Sequence, residues 1–262
     1  MECEWLFSQK GWTVNKCNSC GLGVLDPRPS QDELAALYRA PYFVGHYDEG
    51  VAPRTEAMRK RLSQERHRTK FFSRLKKAGR ILDVGCGRGY FLMACREHGF
   101  DVQGFDVSED GAAYVRETLG IPVQTGMLEE AFEDSSFDVI TLWHSLEHTS
   151  DPAKYLEFAG RWLRPDGILV IDVPNYTSTD ARMKWDAWED WDLPYHLFHF
   201  TPKSLDMLLH RHGFIVIRRK TYHSEVIREK LRNIPLLGFI ARPLAKLFSG
   251  SSYAVVAKKN NT

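Results

Sequence analysis

The sequence predicts a doubly wound α/β fold, and three observations carry that prediction. Short apolar runs alternate with helical patterns from residue 79 to 173, the rhythm of a parallel sheet with crossover helices. The first run, Arg80–Val84, passes directly into Gly85-Cys86-Gly87-Arg88-Gly89, and a helix follows. The chain has 262 residues, 43% apolar and 26% charged, enough for one large domain and a small appendage.

Residues 1–53 form a Cys-, Gly- and Pro-rich extension full of turn signals, and 54–262 form the main domain. A charged helix is expected over 54–78, with apolar positions at Met58, Leu62, Phe71, Phe72 and Leu75. After the glycines a helix runs from Tyr90 to His98 and stops at Gly99. Asp101–Phe105 is the second strand, Ser108 caps a helix over Glu109–Leu119, and Ile121–Gln124 is the third strand. Phe137–Leu142 is the fourth, and Asp151-Pro152 opens a helix ending at Trp162. Pro165-Asp166-Gly167 turns into a fifth strand, Ile168–Val173. Thr201-Pro202 starts the helix Lys203–Arg211, and Phe214–Arg218 and Tyr253–Lys258 are the last strands.

Composition narrows the partners. A net charge of +1 gives no global reason to expect nucleic acid, and the clusters Arg54–Lys77 and Arg218–Lys220 read as solvated faces and strand ends. Met1–Lys10 has no apolar core like that of a secretory leader, and no run of about 18 apolar residues exists. Five cysteines in a chain of this length do not make a disulfide scaffold, so the expected compartment is the cytoplasm. The apolar stretch 234–248 is broken by Pro235, Arg242, Pro243 and Lys246 and reads as a helical cover, with peripheral membrane contact as the other reading.

A strand, a glycine turn and a helix bring backbone N–H groups close to a ligand at the carboxyl edge of a sheet. Nicotinamide and adenosylmethionine sites share that loop. The dinucleotide pattern G-x-G-x-x-G needs glycine where Tyr90 stands. Asp83, inside the strand, suits an ammonium or sulfonium ligand and would repel a pyrophosphate. Asp106 ends the next strand, placed to accept hydrogen bonds from the two ribose hydroxyls of an adenosyl group.

These segments resemble the class I S-adenosylmethionine-dependent methyltransferases. Ile81–Gly89 is similar to their first motif, and Val102–Ser108 to the second-strand motif. Ser136–His148 with Asp151-Pro152 resembles the fourth-strand region of the ubiquinone-biosynthesis-like (type 23-like) subgroup. Leu163-Arg164-Pro165-Asp166-Gly167 resembles its L-K-P-G-G turn, with Asp166 in place of the first glycine. The resemblance implies a seven-stranded sheet whose last strand is antiparallel. It also implies that Gly85, Cys86, Gly87 and Gly89 line the methionine and ribose of the cofactor. Asp106 would hold the ribose, Val107 would lie against the adenine, and Met127 and Leu128 would cover it. Trp143 and His144 would approach the methionine moiety. The implied activity is methyl transfer to a small-molecule or glycan-type acceptor, at oxygen. A protein that binds adenosylmethionine without turnover and an NAD-dependent oxidoreductase are the alternatives.

An oxygen acceptor needs a group to take its proton, and histidine suits that task near neutral pH. His144, His148, His196 and His199 fall at carboxyl-edge loops. Asp192–Pro202 resembles the subgroup's P-x-H-L-x-x-F-T-P signature, within a loop, 175–202, that covers the acceptor in this fold. His196 is the first choice for base, and His199 reads as buried and hydrogen-bonded. Trp185, Trp188 and Trp191, at a spacing of three, fall on one helical face that serves as an acceptor platform or as core. Glu147-His148 offers two donors toward a divalent ion. Cys17-x-x-Cys20-Gly21 has the spacing of half a zinc ribbon, and a closed zinc site would need two more ligands, where only Cys3 precedes it.

Overall fold

A computed structural model describes residues 2–30, 33, 50–126, 128, 131–234 and 238–260. The main sheet has seven strands: β4 (Gly79–Val84), β5 (Phe100–Phe105), β6 (Val123–Gln124), β7 (Phe137–Trp143), β8 (Leu163–Pro174), β10 (Phe214–His223) and β11 (Ser249–Lys259). Their spatial order is β10-β11-β8-β7-β4-β5-β6, and β11 runs antiparallel to both neighbours. The order reverses between β4 and β7, so their carboxyl ends diverge and open a crevice there. The expected doubly wound sheet with an antiparallel last strand is therefore present.

Helix starts follow the expected chemistry. Helix α1 (Glu56–Phe72) is capped by Thr55, whose hydroxyl accepts the Met58 amide, and it buries Met58, Leu62, Phe71 and Phe72. It ends before Leu75, which is exposed. Gly89 begins α2 (Tyr90–Glu97), and Ser108 caps α3 (Glu109–Glu117). Asp151 accepts two amides at the start of α4 (Pro152–Trp162). A short helix, α5 (Thr179–Lys184), follows β8. Thr201 and Ser204 form a reciprocal cap on α6 (Pro202–Arg211).

Several expected boundaries move, and two of the changes have a visible cause. The Pro165–Gly167 turn is absorbed into β8, where the pairing with β7 shifts register between Phe137 and Val139. Strand β10 continues through Arg218–Lys220, because each cation finds a local partner. The Arg218 guanidinium donates to the Phe71 carbonyl (2.8 Å), Arg219 bonds Asp206, and Lys220 Nζ lies 4.1 Å from the Tyr222 ring centre.

The extension is a sheet in its own right. Strands β1 (Cys3–Gln9) and β2 (Trp12–Cys17) form a hairpin closed by Lys10-Gly11, both at positive φ, as a two-residue turn requires. Strand β3 (Gly23–Asp26) adds to β2, and β9 (Phe198–His199), from the 175–202 segment, completes the sheet. Gly23 is needed at that last contact, since a Cβ there would lie 2.9 Å from the His199 Cβ. Toward the C-terminus, α7 (Glu225–Arg232) and α8 (Ala241–Ala245) pack on each other. Ala241 and Ala245 are buried while Phe239 and Leu247 are exposed; residues 235–237 lie outside the described set. Among the described residues no helix is long and apolar enough to cross a membrane.

Candidate cofactor and acceptor site

Strand β4 delivers the chain to the crevice, where Gly85 turns it at φ +79°. A Cβ on Gly85 would lie 2.6 Å from the Ser145 Cβ, so the loops after β4 and β7 approach only because this residue has no side chain. The Gly85 and Cys86 amides donate to the Phe105 carbonyl at 2.7 and 3.2 Å. Asp106 then accepts the Gly87 amide on Oδ2 (2.8 Å) and the Ser108 amide on Oδ1 (2.9 Å). Each carboxylate oxygen keeps a further lone pair for a ligand hydroxyl. Burial pushes the Asp106 carboxyl up, and the amides it accepts oppose that shift. Cys86 contributes its backbone here. Its thiol is buried against Gly104 and pushed well up by that burial.

A cavity of about 350 Å³ opens between this loop and the end of β7. Asp83 borders it, buried, accepting the Thr141 hydroxyl at 2.6 Å. Burial outweighs that hydrogen bond and raises its carboxyl to about 7. A cationic ligand would draw the proton off. Helix α1 also faces the cavity through Arg61, Glu65 and Arg68, at spacings of four and three on one helical face. The Arg68 guanidinium lies 5.3 Å from the Trp143 ring centre and bonds Glu65 at 2.9 Å. Sequence reasoning missed this contribution. The spacing was visible, but nothing local says that α1 folds over the glycine loop.

The opposite wall comes from the β7 edge and the 175–202 segment. His144, at φ +50°, sits with Nδ1 3.5 Å from Glu147 and Nε2 3.9 Å from Asp172. Burial disfavours its charge, yet the Glu147 and Asp172 carboxylates outweigh burial and lift it to about 9. His144 is therefore a cation at neutral pH, which removes its capacity to accept a proton. His148 and His196 stack edge to face with ring centres 4.5 Å apart, and both border the cavity. Burial lowers both, His196 well below the usual range, so they are neutral imidazoles. His199 is elsewhere: it lies in β9, buried against Trp191, its pKa pushed down to about 3 by burial, and its Nε2 has no hydrogen bond.

Other expected positions separate. Val107 is exposed and Leu128 is buried in the core; neither they nor Asp106 border the cavity, and Met127 lies outside the described residues. The tryptophans do not share a helix. Two single-turn 3-10 segments, Trp185–Ala187 and Glu189–Trp191, are broken at an extended Trp188. Trp188 and Trp191 are buried and pack edge to face, which is core packing and leaves only Trp185 partly open. Cys17 and Cys20 sit together: Cys17 is lowered to about 6 by the Ser19 hydroxyl and neighbouring backbone, and Cys20 is raised by burial. Cys3 faces Cys17 in register but is exposed, and among the described residues no third ligand joins the pair.

A family model described as a methyltransferase domain matches residues 54–218, more than half the chain. Over 143 residues the chain is 32% identical to a probable S-adenosylmethionine-dependent methyltransferase of Mycolicibacterium smegmatis, 53% of each protein. Over 114 residues it is 30% identical to the ubiquinone biosynthesis O-methyltransferase of Pasteurella multocida, covering 37% of this chain and 47% of that one. The chain spans about half the length of the curated relatives it matches. Its fold is similar to that of a SAM-dependent methyltransferase from Archaeoglobus fulgidus, with TM-score 0.59, 24% identity, and 78% and 97% of the two chains covered. The chain belongs to the methyltransferase-domain family.

Proposed function

We propose that the protein methylates an oxygen of a small hydroxylated molecule or glycan-type acceptor. The observation that carries this reading is one shared cavity, with Asp83 and the glycine loop on one side and the neutral His148 and His196 on the other. The name of the Pasteurella multocida relative supports oxygen as the acceptor atom.

When bound, S-adenosylmethionine supplies an electrophilic methyl group on sulfur. Asp83 attracts the positive charge of the donor, and Asp106 takes the ribose hydroxyls. Arg61 and Arg68, on the cavity face of α1, pair with the donor's carboxylate. His196 is the group that activates the acceptor hydroxyl. Its Nδ1 donates to the Asp190 carbonyl at 2.8 Å, which leaves the lone pair on Nε2. The Trp143 and Phe91 rings, 5.4 Å apart, keep the wall between the two halves apolar and exclude water.

The test is formation of S-adenosylhomocysteine with a panel of phenols, catechols and sugars. His196→Ala is expected to cut turnover by about 100-fold or more with donor affinity unchanged. Wild-type turnover in that variant would remove His196 from the reaction. Donor binding with no product from any acceptor would instead leave a binding protein without turnover.

A further inference from the structure

We infer that Glu147, His148 and His196 form a site for a divalent first-row transition-metal ion, with its open positions toward the acceptor side of the cavity. One ligand atom from each residue lies within 4.8 Å of the other two. Tetrahedral ligands at ordinary Zn–N and Zn–O distances sit about 3.4 Å apart, so small side-chain rotations close the set.

Two further observations point to an ion. The Glu147 side chain is completely buried, yet neither of its oxygens accepts a hydrogen bond; its nearest cation, His144 Nδ1, is 3.5 Å away. That imidazolium offsets part of the cost of burying the carboxylate, and both oxygens still have room for a directly coordinated cation. Both imidazoles also engage backbone carbonyls through Nδ1, His148 with Tyr195 (3.1 Å) and His196 with Asp190 (2.8 Å). That arrangement fixes the tautomer in which Nε2 carries the lone pair, the usual way a ligating histidine is oriented. The cluster is held together by backbone, since the Leu197 amide donates to the Glu147 carbonyl at 2.9 Å. Asp192, whose Oδ2 is 3.8 Å from His196 Nε2, is a further oxygen donor beside it.

Two imidazoles and one carboxylate select zinc or a neighbouring transition ion over Mg²⁺ or Ca²⁺, which prefer oxygen alone. The site rests on the methyl-transfer reading and specifies how His196 activates the acceptor, as a ligand of the ion that binds the hydroxyl. An acceptor hydroxyl bound at an open position is acidified by the ion and gives its proton to cavity water. Its oxygen then forms the new bond to the methyl carbon as the C–S pair returns to sulfur, releasing S-adenosylhomocysteine.

The test uses the full chain with Cys17→Ser and Cys20→Ser, stripped of metal and titrated with Zn²⁺ by calorimetry. One ion per chain is expected. His148→Ala and His196→Ala should each weaken it by about tenfold or more, with S-adenosylmethionine affinity unchanged. Co²⁺ in place of Zn²⁺ should give ligand-field bands without thiolate charge transfer. Glu147→Gln is a third variant, but its burial risks folding; His148 is only partly buried, so its variant decides. Absence of stoichiometric Zn²⁺, or Zn²⁺ binding indifferent to both histidine variants, overturns the site. Zn²⁺ binding without methyl transfer keeps the site and overturns the activity; full methyl transfer by the metal-free chain does the reverse.

Discussion

The two halves of the cavity are held by different forces. On the donor side backbone amides make the bonds: the Phe105 carbonyl takes two from the loop, and the Asp106 carboxylate takes those of Gly87 and Ser108. On the acceptor side, side chains hold distant segments together. The Phe7 ring stacks on Trp191 at 4.2 Å and 9°, and Trp191 Nε1 donates to the Trp185 carbonyl at 2.8 Å. Gln9 donates to the Asp186 carbonyl at 3.1 Å, and the Tyr176 hydroxyl to the Gly21 carbonyl at 2.5 Å. A donor-binding loop built on backbone tolerates little but glycine and one acid. An acceptor wall built on packing can be rebuilt around another acceptor while the donor side stays as it is.

Trp191→Ala strikes the packed half and should have the largest effect, a stability loss of about 3–5 kcal/mol measured by denaturant unfolding. Hydrogen exchange should then show β1–β3 and β9 opening while the amides of β4 and β5 stay protected. Equal loosening of β4 would break the contrast between the halves. Gly85→Ala strikes the other half. Left-handed backbone costs an alanine about 1–2 kcal/mol, and the 2.6 Å approach to Ser145 adds to it. Donor affinity should fall roughly 10- to 100-fold by calorimetry, with acceptor-side protection intact. Adding Ser145→Gly should restore the steric part only.

The same contrast explains what could be read from residue order. The glycine turn and the caps at Ser108, Asp151 and Thr201 rest on local chemistry, and they stand where expected. The acceptor side rests on pairings that no local pattern reports. Strand β3 finds β9 across most of the chain, so an extension rich in turn signals becomes a sheet. Spacing placed the tryptophans on a helix, but Trp188 takes extended backbone and the indoles meet through packing. Glu147-His148 offered two donors in a row; the third, His196, arrives only when Leu197 bonds back to Glu147.

The smallest expected effect tests the donor half through pH. Asp83 titrates near 7 in the folded chain and near 4 when unfolded, because burial favours its protonated form. Between those values the folded chain holds the extra proton, so its stability falls as pH rises toward 7. A cationic donor reverses the preference, since it binds the ionised carboxylate. Affinity for S-adenosylmethionine should therefore rise about tenfold from pH 6 to pH 8 and then level off. Asp83→Asn keeps the Thr141 hydrogen bond but cannot ionise, so its affinity should be flat across that range. An unchanged pH profile in this variant would move the charge recognition to another residue, with Glu65 on α1 the next carboxylate facing the cavity.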